Sequence, residues 1–368
     1  MKDKAQTITF YTVCAFLLCY FTRIFNMPNE VTLIVGALLC LVLLTQQKKF
    51  RIDIGICLLT ITLISYYVII NGKSGLFYSI LYIPLIIYEL GNYMASAICS
   101  KRNSEQKIYL LLMILVVGFS IHGILNSYMW YAGYAVPGTR RWPDFWNGNI
   151  VPGTQHVAYF MPAMAMFIPA VLYFRNNKII NIVVILLTVF FGYTALSTRS
   201  RMTVLIFAIV VLVQLLLYVV YEWNTVKKLM KNKWIWVACA AIVVGMFVGF
   251  FWVKDMPVMK AFINNLGKDG GILNNERFQT QRLAVQQIFN YPMGGYQMNL
   301  GGLGQCHNVW LDMVNAAGII PFLAFVSYTL YSLYNLVRFV RKSDITTEIK
   351  LLIMGVYSSF SHKSNKII

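Results

Sequence analysis

The sequence predicts an all-α fold, a polytopic transmembrane helical bundle of about 10–11 spans with one large extracytoplasmic loop that contains short helices. Three observations predict this class. Hydrophobic residues make up 58% of the chain and charged residues 12%, and the mean hydropathy of +0.64 lies above that of soluble domains. Apolar runs recur along the chain, and basic residues collect in every second connection between them. Residues 1–368 are therefore predicted to form a single integral membrane domain.

Ten apolar runs are long enough to cross a hydrocarbon layer of about 30 Å, which takes about 20 helical residues. A further run, residues 351–360, would give only about 15 Å of helix, so we expect it to pack as a half-helix at the inner face without crossing. The ten runs start near Thr7, Val31, Ile52, Gly75, Ile108, Gln155, Ile179, Met202, Trp234 and Asn308.

Lys and Arg residues predict the orientation of these spans. If the N-terminus is cytoplasmic, every inner connection is basic, as the preference of cationic residues for the cytoplasmic side requires. This pattern explains most of the net charge of +18, so no nucleic-acid partner is needed to account for it. We therefore expect a multi-pass protein of the cell inner (cytoplasmic) membrane. The inner residues include Lys2, Lys4, Lys48, Lys49, Arg51, Lys101, Arg102, Lys107, Arg175, Lys178, Lys227, Lys228, Lys231, Lys233, Arg338, Arg341, Lys342 and Lys350.

Two outer connections are long enough to form structure of their own. Residues 132–154 contain prolines, Trp142 and Trp146, which predict an ordered loop because proline lowers the entropy of the unfolded chain and Trp favours the membrane interface. Residues 254–306 are too many for a structureless connection. Within them, the pattern of residues 275–290 predicts a helix lying outside or along the interface, which ends at the turn 292–295.

Six arginines fall on the predicted outer side, where short loops carry few basic residues. Taken singly, each is equally well explained as an interfacial residue that touches a lipid phosphate. Gathered by a helical bundle, they would form a site for a phosphate or pyrophosphate, because guanidinium makes forked bonds to such oxygens and stays charged. These residues are Arg140, Arg141, Arg199, Arg201, Arg277 and Arg282.

The tenth predicted span brings polar residues to the same side. Asn308, Asp312 and Asn315 recur at helical spacing and would line one face of its outer half, with His307 at its mouth. Such residues are costly against lipid and should face a cavity or another helix. A histidine in this position can act as a general base or donate to a phosphate.

The other histidines are predicted to be structural, as are the cysteines other than Cys306, which is predicted to face the outside next to His307. His122 and His156 have no polar company in the sequence. The seven cysteines contain no CxxC pair, so the spacing indicates neither a disulfide framework nor a zinc site.

Three elements of the second half carry a resemblance to a known family. Ser200 is followed by Arg201-x-x-x-Leu205 at the outer end of a span. Arg277 precedes the Pro-Met-Gly-Gly turn, residues 292–295, by fifteen positions. His307-Asn308 is followed by Gly318, although Pro321 stands where the family has another residue three positions later. In this order and on one membrane face, the elements resemble the O-antigen polymerase and O-antigen ligase superfamily of bacterial surface-polysaccharide membrane glycosyltransferases.

The resemblance implies that glycans are transferred from an undecaprenyl-diphosphate carrier at the outer face of the cytoplasmic membrane. Arg201 and Arg277 would bind the diphosphate, and His307 would activate the acceptor hydroxyl or help to hold the phosphates. No Asp-x-Asp pair occurs in the outer segments, so transfer without a metal or cofactor is predicted. The predicted substrate-binding residues are Arg199, Arg282, Arg140, Arg141, Asn308 and Asp312.

Several functions are compatible with these residues. The modest outer loop favours a polymerase of capsular, exopolysaccharide or O-antigen repeat units, with a flippase and a chain-length regulator as partners beside the bilayer and the lipid-linked glycan. A ligase that transfers the glycan to another acceptor is the alternative within the family. A transporter or flippase of an anionic lipid-linked substrate, or a non-catalytic scaffold, would use the same arginines differently.

The predicted orientation can be tested with reporter fusions. A reporter of outer-face activity fused after Asn290 should be active, and one fused after Lys231 should be inactive, because basic connections remain on the cytoplasmic side. The opposite pair of results would invert the topology and place the predicted site on the cytoplasmic face.

Overall fold

The computed structural model describes residues 2–24, 29–47, 52–74, 82–99, 104–137, 139–173, 177–233, 276–301, 306, 308–342 and 345–361, with isolated positions between 236 and 263. Helices dominate, as predicted, and one two-stranded antiparallel sheet accompanies them. The elements are α1 (Lys2–Thr22), α2 (Asn29–Gln47), α3 (Ile54–Ser74), α4 (Ile83–Cys99), α5 (Ser104–Tyr131), β1 (Arg141–Pro143), β2 (Ile150–Pro152), α6 (Gly153–Ala158), α7 (Met161–Ala165), α8 (Phe167–Tyr173), α9 (Lys178–Ser197), α10 (Arg201–Tyr221), α11 (Trp223–Met230), α12 (Glu276–Gln287), α13 (Val309–Ala317), α14 (Ile319–Val340) and α15 (Thr347–Ser361).

Six helices in the described part of the chain are long and apolar enough to cross a membrane, namely α1, α2, α5, α9, α10 and α14. Their outward surfaces remain apolar: on α9, for example, Leu186 is 62% and Val189 is 63% exposed. A soluble protein rarely exposes continuous apolar surface of this kind. The chain is therefore a membrane protein.

The remaining predicted spans differ from this set. α3 runs from Ile54 to Ser74, and Ile54–Ile69 is apolar among the residues whose side chains the structure describes. α4 begins at Ile83, and the predicted start near Gly75 lies outside the described residues. The predicted ninth span, from Trp234, lies mostly outside the described residues. The predicted tenth span is two helices, because Gly318 takes φ 85° between α13 and α14. The membrane-length helix there begins at Ile319, so the prediction of a span from Asn308 is wrong in its start.

The predicted sixth span is three short helices, and two prolines explain its breaks. Proline lacks an N–H and collides with the carbonyl four residues earlier. Pro162 lies four positions after Ala158, where α6 ends, and Pro169 lies four positions after Ala165, where α7 ends. The interrupted segment is tolerated because it is enclosed by protein: Val157 and Phe160 are fully buried.

The chain packs into two compact units. The first contains Met1–Gly118, Ile272–Asp344 and His362–Ile368. Within it, α2 lies against α4, and α3 packs along α13 and α14. Phe10, Val13, Leu43, Leu90 and Met94 form an apolar core that joins α1, α2 and α4.

The second unit contains Phe119–Gly271 and Ile345–Ser361, so it recruits α15 from the far end of the chain. α15 packs against α7, α8 and α10, and Ile349, Leu351 and Leu352 are almost completely buried. The expectation of a short, packed helix over residues 351–360 agrees with this arrangement, although its side of the membrane stays a prediction.

One amide joins the broken segment to α15. Gln214 is fully buried on α10 and donates from Nε2 to the carbonyl of Ala165 at 2.6 Å and to that of Leu351 at 3.1 Å. Pro169 has no N–H with which to satisfy Ala165 in the helical pattern. Gln214 therefore supplies the donor that the proline removes.

Replacing Gln214 with leucine should destabilise the protein. The side-chain size is nearly kept, but two buried carbonyls lose a donor, a cost of about 1–3 kcal/mol. Thermal unfolding in detergent measures the change, and Gln286→Leu at an exposed position of α12 is the control. Equal stability of the two variants would contradict the bridging role.

Candidate functional site

α12, inside the predicted range 275–290, carries Arg277 and Arg282 on its exposed surface. Thr280 and Ala284 are buried; Arg282 lies on the opposite side of the helix from them, whereas Arg277 lies nearer to their side. Gln281 donates from Nε2 to the carbonyl of Cys306 at 3.2 Å, one helical turn after Arg277. The guanidinium-bearing helix is thus tied to the chain segment that immediately precedes His307.

A second amide closes the loop that follows α12. Gln287 donates from Nε2 to the carbonyl of Asn299 at 2.9 Å, and its Oε1 accepts from the N–H of Asn299 at 2.9 Å. In the same segment, Ala284 packs with Leu300 and Cys306 in an apolar cluster that includes Leu311 of α13. The outer segment is therefore a packed structure attached to α13.

Asn308 and Asp312 organise the start of α13. The Oδ1 atom of Asn308 accepts from the N–H groups of Trp310 and Leu311 at 3.1 and 3.4 Å, which is an N-cap. Asp312 accepts from the N–H of Cys306 at 2.7 Å through Oδ1 and from that of Asn308 at 3.1 Å through Oδ2. Both carboxylate oxygens therefore hold backbone on either side of residue 307.

His307 lies outside the described residues. Asn315 shares α13 with Asn308 and Asp312, as their spacing predicts, but the three do not line a membrane span because α13 ends at Ala317. Asn315 is buried, and its Oδ1 has no hydrogen-bond partner among the residues that the structure describes.

The Cys306 thiol is not suited to nucleophilic chemistry. Burial, together with the neighbouring carboxylate of Asp312, raises the pKa of Cys306 to about 12. The thiol is protonated at neutral pH, and only the thiolate is a good nucleophile. Cys306 contributes packing to the segment.

The two glycine-containing elements of the resemblance meet in the first unit. The N–H of Gly295 donates to Ala316 at 2.9 Å, that of Tyr296 to Asn315 at 2.8 Å, and that of Ile319 to Pro292 at 2.9 Å, all to backbone carbonyls. Gly294 and Gly318 both have positive φ, and a Cβ on either would collide with the backbone of the other segment. We call this contact the glycine clamp; it joins the turn 292–295 to the junction of α13 and α14.

The other four arginines that are predicted to be outer lie in the second unit. Arg199 occupies the turn between α9 and α10 with φ 55° and is exposed, whereas Arg201 is the first residue of α10. Thr198 and Ser200 on either side of Arg199 are buried, and the Ser200 hydroxyl lies 2.8 Å from that of Thr203. The flanking hydroxyl groups fix this turn while Arg199 projects from it.

Arg140 and Arg141 lie on an ordered hairpin, as the composition of residues 132–154 predicts. β1 pairs with β2 in antiparallel register, with Arg141 opposite Pro152. Trp142 is fully buried and donates from Nε1 to the carbonyl of Asn126 on α5 at 3.0 Å. It also stacks on His156 at 4.5 Å between ring centroids.

A buried polar cluster that the sequence analysis missed fastens this hairpin. His122 Nε2 lies 3.3 Å from Asp144 Oδ2, and both side chains are enclosed. Asn126, one turn after His122, accepts from the N–H of Phe145 at 3.1 Å through Oδ1. The signal was present, since His and Asn four positions apart in an apolar span require partners. The expectation that His122 is structural agrees with this anchoring.

Both arginine pairs of the second unit lie at the C-terminal end of α5. The Tyr131 hydroxyl lies 3.1 Å from that of Thr194 and 3.3 Å from that of Ser197, which places the α9–α10 turn beside the end of α5. Trp130, one residue earlier, packs on Trp142 of the hairpin at 4.8 Å. The arrangement can present several cations on one end of the unit.

Comparisons with family models, curated proteins and solved structures returned no match. The assignment to a class therefore stands at a polytopic helical membrane protein, and the superfamily resemblance remains one of sequence elements.

Replacing Gly318 with alanine should destabilise the first unit. The left-handed backbone costs about 1–2 kcal/mol with a side chain, and the new Cβ would also collide with the carbonyl of Pro292. Gly133→Ala is the control for φ alone, because Gly133 has φ 83° and open space, and Gly91→Ala controls for helical glycine in open space. Thermal unfolding should rank Gly318→Ala as the least stable, and a loss no greater than that of Gly133→Ala would contradict the clamp.

Proposed function

We propose that the protein is a membrane glycosyltransferase that polymerises undecaprenyl-diphosphate-linked oligosaccharide repeat units at the outer face of the cytoplasmic membrane. The products would be capsular, exopolysaccharide or O-antigen chains. A flippase that delivers the repeat unit and a regulator of chain length are the partners that this activity implies.

One observation carries the proposal. Two of the three sequence elements that make up the resemblance are in direct contact within the first unit, whereas the third, with Arg201, lies in the second unit. The turn 292–295 is bound to the junction of α13 and α14 by backbone hydrogen bonds, and the helix of Arg277 is bound through Gln281 to Cys306, the neighbour of His307. This convergence supports the proposal.

The chemistry requires a fixed cation and a base. An acceptor hydroxyl attacks the anomeric carbon of the donor, a new C–O bond forms, and the bond from that carbon to the diphosphate oxygen breaks. The electron pair leaves with the polyprenyl diphosphate, and the hydroxyl proton passes to a base, the role proposed for His307. Arg277 and Arg201 would stabilise the charge that develops on the diphosphate, since guanidinium offers two parallel donors.

The surroundings of the second unit's arginines support action at the membrane boundary. Tyr128, Tyr134 and Tyr193 are more than half exposed near the end of α5, and exposed tyrosines collect at the headgroup level of membranes. Arg140, Arg141 and Arg199 would there meet the diphosphate of a membrane-anchored donor. We expect changes at these three residues to affect donor affinity more than turnover.

Asn308 and Asp312 would contribute differently from the arginines. Their side-chain oxygens hold backbone N–H groups around residue 307, so the role that the geometry supports is to position His307, and a direct substrate contact stays a prediction.

Two alternatives remain open to the same residues. A ligase would use the same donor but a different acceptor. A transporter is favoured by one observation, the interrupted helix α6–α8, because transporters use broken helices near the midplane to bind substrate. Against it, the break packs into an apolar cluster with α10, formed by Met161, Ala165, Ile206 and Val210.

Replacing Arg277 or Arg201 with alanine should abolish polymer formation by the purified, reconstituted protein supplied with a defined undecaprenyl-diphosphate repeat unit. Loss of one charge-assisted contact to the transition state costs about 2–4 kcal/mol, and lysine should restore activity only partly because it lacks the fork. Gln279→Ala, exposed on α12 like Arg277, is the matched control and should retain full activity.

The products distinguish the alternatives. Near-normal polymer from both alanine variants would refute the proposed role of the arginines. Movement of intact donor across the bilayer without a new glycosidic bond would establish transport, and transfer only to an acceptor other than a second repeat unit would establish a ligase.

A further inference from the structure

The outward face of α12 carries an apolar stripe that is unusual for a helix outside the membrane spans. Phe278, Arg282, Val285 and Phe289 are separated by four, three and four positions, so they lie on one side of the helical path, with Phe289 in the turn just after α12. Phe278 is 42%, Val285 56% and Phe289 80% exposed. We call these four residues the outer stripe. It lies opposite Thr280 and Ala284, the residues that α12 buries.

More apolar surface continues beyond the helix. Met293 is 67% and Tyr296 62% exposed in the turn that the glycine clamp holds. Large apolar side chains aligned on one face of a helix differ from the singly scattered apolar residues of an ordinary surface. Such a patch needs a partner that excludes water.

The packing of α12 indicates its depth. Its buried face contacts the cluster of Ala284, Leu311 and Val314, and Phe322 packs against the same cluster. Phe322 is the fourth residue of α14, a helix long and apolar enough to cross the membrane. α12 therefore lies at the level where α14 meets the boundary between hydrocarbon and water.

The composition of the outer stripe fits that boundary. A helix that lies in the interface buries phenylalanine and aliphatic side chains among the acyl chains and meets the headgroups with cationic residues. Arg282 is the cation within the stripe, and its long apolar stem can pass along Phe278 and Val285 to reach a lipid phosphate. Because the stripe runs along the whole helix, the helix axis would lie in the membrane plane.

We propose that the outer stripe of α12 is a phospholipid-binding face that inserts into the leaflet at the N-terminal end of α14, with Arg282 bound to a lipid phosphate. This inference rests on the membrane character of the chain and is independent of the glycosyltransferase proposal. It separates the two arginines of α12, since Arg277 lies on the flank towards the buried face and is not assigned to this lipid contact.

The test is site-directed spin labelling of the whole protein reconstituted into vesicles of phosphatidylglycerol and phosphatidylcholine without lipid-linked glycan. Labels attached in Val285→Cys and Phe289→Cys should be accessible to oxygen and protected from a water-soluble nickel chelate. Labels in Gln279→Cys and Gln286→Cys, exposed positions of the same helix, should show the reverse, with a several-fold difference in the ratio of the two accessibilities. The parent chain, labelled in parallel, supplies the background from its own cysteines.

Each outcome decides the proposal. Equal access of the chelate to all four positions would overturn it. Protection that appears only after polyprenyl-diphosphate donor is added would assign the stripe to the donor tail, and protection that grows with the protein-to-lipid ratio would assign it to a second copy of the chain. In the phospholipid-only vesicles, Arg282→Gln should bring the label at Phe289→Cys closer to water, whereas Arg277→Gln should leave it unchanged.

Discussion

Backbone groups that leave a helix must find a partner within the protein, because the hydrocarbon of a membrane offers none. The fold of this chain depends on that constraint at each irregular point. Where Pro169 removes a donor, Gln214 replaces it. Where α13 ends at Gly318, the N–H of Ile319 bonds to the carbonyl of Pro292. Side-chain amides, carboxylates and carbonyls of other segments therefore replace the helical hydrogen bonds at these points.

The same constraint links structure to the candidate site. The described residues on either side of position 307 are held by two side chains, since Gln281 bonds to the carbonyl of Cys306 and Asp312 accepts from the N–H groups of Cys306 and Asn308. A reacting group benefits when the residues on either side of it are fixed, because catalysis requires geometry that is set before the transition state forms. The polar residues that satisfy the backbone thereby also make the site rigid.

The lengths of the apolar runs and the positions of the charged residues predicted the class of fold. Both are set directly by the lipid and water that a membrane span contacts. They predicted α9 and α10 closely, and the turn-forming residues around Trp142 predicted an ordered loop. The breaks were not predicted, although Pro162 and Pro169 marked them, because an apolar run of sufficient length was read as one continuous helix. The start of α14 was missed because the apolar run continues through Gly318. The left-handed backbone of that glycine does not change the hydropathy of the run.

Contacts between distant segments were beyond the reach of the sequence pattern. The spacing of Asn308 and Asp312 correctly placed them on one helix, but a spacing cannot distinguish a side chain that faces a cavity from one that binds the backbone before its own helix. The pairing of His122 with Asp144 depends on a hairpin register that no periodicity encodes. In the same way, the sequence identified six outer arginines but not the different surroundings of each.

α12 shows how one short helix can meet three requirements at once. Thr280 and Ala284 are small, so the helix approaches α13 closely and buries little polar surface. Phe278, Val285 and Phe289 lie on the opposite side, where the proposed lipid contact would cover them, and Arg277 lies between these faces, on the turn whose Gln281 bonds to Cys306. A cation at the edge between a lipid-facing stripe and a fixed protein surface is well placed to bind an amphipathic ligand. Such a ligand has an anionic head and a hydrocarbon tail. The face towards lipid would set the depth of the helix, and that depth would set the height at which Arg277 meets the head of such a ligand.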